Sequence, residues 1–75
     1  MKITTINYSQ KIKEYRARFF ITQEEFAQLI NVSTISVIRW EGGKYCPTTK
    51  AKRKIAKIFE EAGMNIFDES EANLK

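Results

Sequence analysis

The sequence predicts an all-α protein, a compact bundle of four to five short helices in one small domain. Apolar residues recur at three- and four-residue intervals through most of the chain, which is the rhythm of a helix stripe. Helix-start signals stand at Thr22 and again at Ser33, eleven residues further on. Gly42-Gly43, Pro47 and Gly63 punctuate the chain where helices would have to stop. At 75 residues there is room for one domain with one small core, and no room for a large catalytic cleft.

Residues 1–7 offer only Ile3 and Ile6 as apolar side chains after Met1 and read as an N-terminal arm, frayed rather than a short strand. The first helix is expected from Tyr8 to Phe20, with Tyr8, Ile12, Tyr15 and Phe19 on one stripe and Lys11, Lys13, Glu14 and Arg18 on the other faces. Asn7 or Ser9 can cap it. Aromatic side chains at helical spacing can act as a base-stacking platform, but interior packing is the commoner use.

A second helix is expected from Gln23 to Ile30. The Thr22 hydroxyl can accept from the amide of Glu25 while the Glu25 carboxylate reaches back to the amide of Thr22, and Ile21 and Phe26 stand as hydrophobic-staple partners. Phe26, Ala27 and Ile30 face inward. The third helix runs from Thr34 to Glu41 behind Ser33, with Val32 and Val37 in the staple positions. Between these helices Asn31 sits at the reversal, where its side chain tolerates left-handed backbone. Two short helices joined so tightly must cross steeply, and Ala27 is small enough for the close approach, so the segment reads as a helix-turn-helix unit. Val37 and Trp40 point inward on the third helix. Thr34, Ile35, Ile38 and Arg39 point outward.

Gly42-Gly43 ends that helix, since glycine accepts the positive φ beyond a C-cap. The loop Lys44-Tyr45-Cys46-Pro47 follows, and Pro47 forces a new start capped by Thr48 or Thr49. The fourth helix carries Ala51, Ile55, Ile58, Phe59 and Ala62 inward and ends at Gly63. Lys50, Lys52, Arg53, Lys54 and Lys57 make its other surface basic, either a solvated face or a polyanion contact. Met64, Ile66 and Phe67 are expected to fold back and close the core, which bounds the domain at residues 8–67. Residues 68–75 are polar and acidic and are expected to be a disordered tail.

The net charge of +4 conceals an asymmetry. Residues 1–57 hold twelve Lys or Arg against four Asp or Glu, a balance of +8, whereas residues 58–75 hold one Lys against five acids, a balance of −4. A basic body suits a polyanion such as DNA. With one cysteine, Cys46, and no histidine, the chain can build neither an internal disulfide nor a Cys/His metal site, and it shows no cofactor motif. Those residues suit a reducing, cytoplasmic setting. No signal-peptide pattern stands at the N-terminus, and no run approaches the ~18 apolar residues that suggest a membrane span. An enzyme is disfavoured: Cys46 has no histidine partner, no paired carboxylates converge, and Cys46 reads as a passive loop thiol.

Thr22-Gln23-Glu24-Glu25-Phe26-Ala27, then Asn31-Val32-Ser33, then Val37-Ile38-Arg39-Trp40-Glu41-Gly42-Gly43-Lys44 followed by Pro47, resemble in order and spacing the Cro and phage-repressor type of helix-turn-helix proteins. The resemblance covers residues 9–62. It implies a lambda-repressor-like fold and a sequence-specific, double-stranded DNA-binding regulator of transcription in a bacterial or phage-type cytoplasm, at the nucleoid when bound. A repressor is expected, acting as a homodimer on a two-fold symmetric operator with half-sites about one helical turn apart.

If the third helix enters the major groove, Thr34, Ile35 and Arg39 lie nearest the bases, with Ser36 and Ile38 at the margin. Arg39 can pair with guanine O6 and N7 or contact phosphate, and Ile35 can press on a thymine methyl. The resemblance gives Gln23 a backbone-clamping role at the first turn of the second helix. Lys44, Thr48, Thr49 and Lys50 are further phosphate candidates. It also implies a structural ion pair between Arg16 and Glu41. The sequence departs from the family in having Asn31 where glycine is frequent, Phe26 where leucine is usual, and Ile35 and Ile38 where polar residues are common. That apolar face motivates an alternative expectation, an antitoxin-like or adaptor module with a protein partner and DNA binding secondary.

Overall fold

The computed structural model describes residues 6–66, which form four helices: α1 (Tyr8–Phe19), α2 (Gln23–Leu29), α3 (Thr34–Glu41) and α4 (Thr49–Glu61). There is no strand and no fifth helix among the described residues. Most of the N-terminal arm, Phe67 and the acidic tail 68–75 lie outside them.

Each helix begins on a side-chain cap. Asn7 Oδ1 accepts from the Gln10 amide at 3.1 Å, which settles the choice between Asn7 and Ser9. At α2 the capping box closes in both directions, with Thr22 Oγ1 accepting from the Glu25 amide at 3.0 Å and Glu25 Oε1 accepting from the Thr22 amide at 2.8 Å. Ser33 Oγ accepts from the Ser36 amide at 3.2 Å to start α3. Thr48, not Thr49, caps α4, taking the Ala51 amide at 3.2 Å, and Thr49 is the first helical residue. Each such cap contributes about 0.5–2 kcal/mol.

The reversal between α2 and α3 turns on Asn31, at φ 59°. Its amide donates to the Gln28 carbonyl at 3.2 Å and the Val32 amide donates to the Ala27 carbonyl at 2.9 Å, a Schellman arrangement that satisfies the end of α2. The end of α4 repeats it with Gly63 at φ 71° and the Met64 amide on the Phe59 carbonyl at 2.9 Å. Helix α1 stops one residue before the expected Phe20, which takes the left-handed conformation itself at φ 56°. A phenylalanine there is strained, and being 93% exposed it regains nothing from packing.

The core joins Ile12 and Tyr15 of α1, Phe26, Ala27 and Ile30 at α2, Val37 and Trp40 of α3, and Ala51, Ile55 and Phe59 of α4. The Tyr15 ring meets Phe26 edge-on at 5.6 Å and Phe59 at 5.3 Å. Full burial of side chains this size is worth about 1.5–3 kcal/mol each, so the core rather than helix propensity carries the fold. Two expectations about α1 need correction. Phe19 is 43% exposed, its ring tilted against Tyr15 at 4.7 Å, because Phe26 and Phe59 already occupy other sides of that ring. Lys11, expected on an outer face, is buried, its stem packed and its ammonium 3.5 Å from Glu14 Oε1.

Candidate nucleic-acid interface

Helix α3 is held by its inner face and its last turn. Val37 is fully buried and Trp40 nearly so. One turn on, Glu41 is only 6% exposed, a charge that must find partners inside the protein. It finds three. Arg16 Nε donates to Glu41 Oε2 at 2.6 Å and Arg16 Nη2 donates to Glu41 Oε1 at 2.9 Å, a two-pronged pair between α1 and α3. Gln23 Nε2 donates to the same Oε1 at 3.2 Å from the first turn of α2. The Ser9 hydroxyl donates to the Glu41 backbone carbonyl at 2.6 Å. Arg16 Nη1 also donates to the Ile21 carbonyl at 3.2 Å, binding the α1–α2 connection into the cluster.

Burial alone would push the Glu41 carboxyl upward. The hydrogen bonds from Arg16 and Gln23, with the attraction of Arg16 and Lys13, outweigh it and hold Glu41 below the ordinary carboxylate range. The hydrogen bond to Glu41 raises Arg16 in turn, against the lowering effect of burial.

The outer face of α3 is different in kind. Ile35 is 59% and Ile38 48% exposed, and Arg39 is exposed between them and the following loop. Thr34 and Ser36 are half-buried, and the Ser36 hydroxyl is 2.9 Å from that of Ser33, so Ser36 is partly spent on the cap. The Arg39 guanidinium carbon lies 5.6 Å from the centre of the Tyr45 ring. An exposed helix with apolar, hydroxyl and guanidinium groups on one face suits the major groove, which is wide enough for one helix and presents methyl groups, acceptors and donors at its floor.

The remaining sequence-predicted residues surround this face unevenly. Lys44, Thr48, Thr49 and Lys50 are exposed across the loop and the start of α4, although the Thr48 hydroxyl already serves as a cap. Gln23 is half-buried, with one amide hydrogen given to Glu41 and one still available to an acceptor. The basic surface of α4 is smaller than its composition suggests. Lys54 Nζ donates to the Ile30 carbonyl at 3.1 Å, closing the end of α2, and the Lys52 ammonium stands 5.6 Å from the Tyr8 ring centre. Lys50, Arg53 and Lys57 are exposed.

Sequence reasoning missed Ser9 as a tie to α3, Lys54 as a helix-end donor and Tyr45 as a neighbour of Arg39. A lysine aligned with a helix C-terminus is a weak signal for Lys54. The double glycine that turns the chain back is the one hint for Tyr45.

A family model for helix-turn-helix domains matches residues 12–62. Among characterised and uncharacterised relatives, an uncharacterized HTH-type transcriptional regulator of Archaeoglobus fulgidus is 43% identical over 63 residues, 81% of this chain and 89% of that protein. Another, from Methanocaldococcus jannaschii, is 47% identical over 58 residues, 77% of this chain and 83% of its own length. The HTH-type transcriptional activator BcrR of Enterococcus faecalis is 30% identical over 54 residues, 72% of this chain but 26% of that protein. No solved structure matches significantly.

Proposed function

The chain belongs to the helix-turn-helix family of DNA-binding transcriptional regulators, and from that premise we propose a sequence-specific repressor that binds a two-fold symmetric operator as a homodimer, with α3 in the major groove. The observation that carries this reading is the division of α3 into a saturated inner face and an outer face whose Ile35, Ile38 and Arg39 are exposed. Arg39 forks onto guanine O6 and N7, Ile35 covers a thymine methyl, and Thr34 and Ser36 contact the neighbouring base edges. Gln23 uses its second amide hydrogen on a phosphate at the first turn of α2, where the helix dipole favours an anion. Lys44, Thr49 and Lys50, with Thr48 beside them, hold the backbone and set orientation and salt dependence. Arg16 and Glu41 keep the reading helix in place.

Residues 8–67 are the DNA-binding domain in this scheme, residues 1–7 an arm and residues 68–75 an acidic tail. Repression follows from occupancy alone, since a dimer seated on a promoter excludes polymerase. No described helix is long and apolar enough to cross a membrane, and a cytoplasmic setting is part of the proposal. Selection from a random duplex pool tests it. Enrichment of a motif with two inverted half-sites about 10 base pairs apart supports the dimer and the reading together, and a pool that enriches nothing overturns sequence-specific binding. A reporter driven through the enriched site should fall when the protein is expressed, and a rise would identify an activator.

The exposure of Ile38 at the margin of the reading face favours a second reading, an antitoxin-like or adaptor module whose apolar patch docks a protein. A protein that self-associates, binds its site and captures no partner argues against it.

A further inference from the structure

Arg39 has no carboxylate partner among the described residues, and what lies against its guanidinium is the ring of Tyr45, at 5.6 Å. That distance is within the ~6 Å over which a cation is attracted to a ring face. The ring is delivered there by the chain's return from α3. The Gly42 amide donates to the Ile38 carbonyl and the Gly43 amide to the Trp40 carbonyl, both at 3.1 Å, and Gly43 at φ 84° reverses the backbone. Two residues beyond Tyr45 the loop is pinned by buried Pro47, and Tyr45 and Cys46 wall a small cavity of about 120 Å³ with Asn7, Tyr8 and Trp40. Tyr45 remains 56% exposed, a large aromatic whose loop is fixed on both sides.

We propose that Tyr45 is a specificity-determining positioning residue, which holds the Arg39 guanidinium beside its ring by cation–π attraction so that the fork is presented to a base pair in the major groove. The inference rests on the DNA-reading role of α3. A ring beside the guanidinium takes up none of its N–H groups as a carboxylate would, which leaves the fork free for two parallel hydrogen bonds to guanine O6 and N7. A carboxylate partner would have consumed those same donors. Tyr45 thereby orients Arg39 before DNA arrives and removes part of the freedom that a long side chain would otherwise lose on binding. Docking against DNA also desolvates the pair, which strengthens the attraction.

The test compares wild type, Tyr45→Phe, Tyr45→Leu, Arg39→Ala and the Arg39→Ala/Tyr45→Leu double variant on the duplex enriched by wild type and on its single-pair variants, at one salt concentration. Leucine keeps apolar bulk in the loop without a ring face, and thermal unfolding checks that each variant is folded. Tyr45→Phe is expected to bind within about twofold of wild type, because the ring face and not the hydroxyl does the holding. Tyr45→Leu is expected to lose about five- to thirtyfold on the enriched site, to lose almost nothing on the duplex changed at the pair read by Arg39, and to add nothing in the Arg39→Ala background. An equal loss on every duplex, no loss at all, or a Tyr45→Phe variant as weak as Tyr45→Leu overturns the proposal while leaving α3 as the reading helix. A wild-type protein that enriches no motif overturns both.

Discussion

On its inner side α3 buries Val37, Trp40 and the Glu41 carboxylate, and each Glu41 oxygen is matched by Arg16, Gln23 or Ser9. On its outer side, one or two residues away along the same helix, Ile35 and Ile38 are about half exposed and Arg39 is exposed beside the Tyr45 ring. The contrast separates two kinds of requirement. A face that carries the fold must saturate its chemistry within the chain, because a buried unpaired charge is costly. A face that reads another molecule must leave its chemistry open, at some loss of stability and with apolar groups exposed. In the proposed scheme both requirements fall on eight residues, so substitutions one position apart should produce effects of different kinds.

The largest effect belongs to the inner face. Arg16→Ala should destabilise the fold by about 3–5 kcal/mol, since it strands the buried Glu41 carboxylate, and chemical denaturation would measure it. Glu41→Ala should be similar in direction. A loss below about 1 kcal/mol would mean that the pair behaves as an exposed one. Next comes Arg39→Ala on the outer face, which should leave unfolding within about 0.5 kcal/mol of wild type. It should cost about 1–3 kcal/mol of binding, confined to one base pair of the operator half-site, as seen by titrating single-pair variants.

The contrast also has a pH signature. Because the folded carboxyl of Glu41 lies below its ordinary range, its contribution to stability is fully present above the unfolded-state value and is lost as pH falls through the folded one. Thermal stability should therefore decline on the acid side of the ordinary carboxylate range, and Glu41→Gln should flatten that limb. An unchanged acid limb would detach Glu41 from it. The smallest effect is expected at the rim, where Lys50→Ala should weaken binding to all duplexes alike and reduce the salt slope by about one, with stability untouched. Sequence-dependent weakening would place Lys50 at a base instead.

The parts of the fold that were legible in the chain are those built from near neighbours. Thr22 with Glu25 and Ser33 with Ser36 are interactions across three residues and the bonds at the Asn31 reversal span three and five, so the residue types and their spacing were enough. The helical stripes of α2 and α4 were legible for the same reason. In α1 the stripe misled at Phe19 and Lys11, because the neighbouring helices decide which flank of a stripe is covered. The placement of Phe20 in left-handed backbone broke the residue preference that would have put glycine or asparagine there.

The candidate site divides along the same line. The outward positions of α3 follow from helical periodicity once Val37 and Trp40 are known to be inside. Where Gln23 spends its amide, that Ser9 ties α1 to Glu41, and that Tyr45 returns beside Arg39 depend on contacts between segments distant in the chain or across a turn whose path the sequence does not state. Capping, periodicity and charge balance are short-range chemistry, and by itself the sequence determined through them a helical bundle with a tight turn and a basic body. The burial of Lys11 and the convergence of Ser9, Arg16 and Gln23 on Glu41 were decided by tertiary structure alone, as was the pairing of Tyr45 with Arg39. Partners from separate helices meet only when the core has set the distances between them.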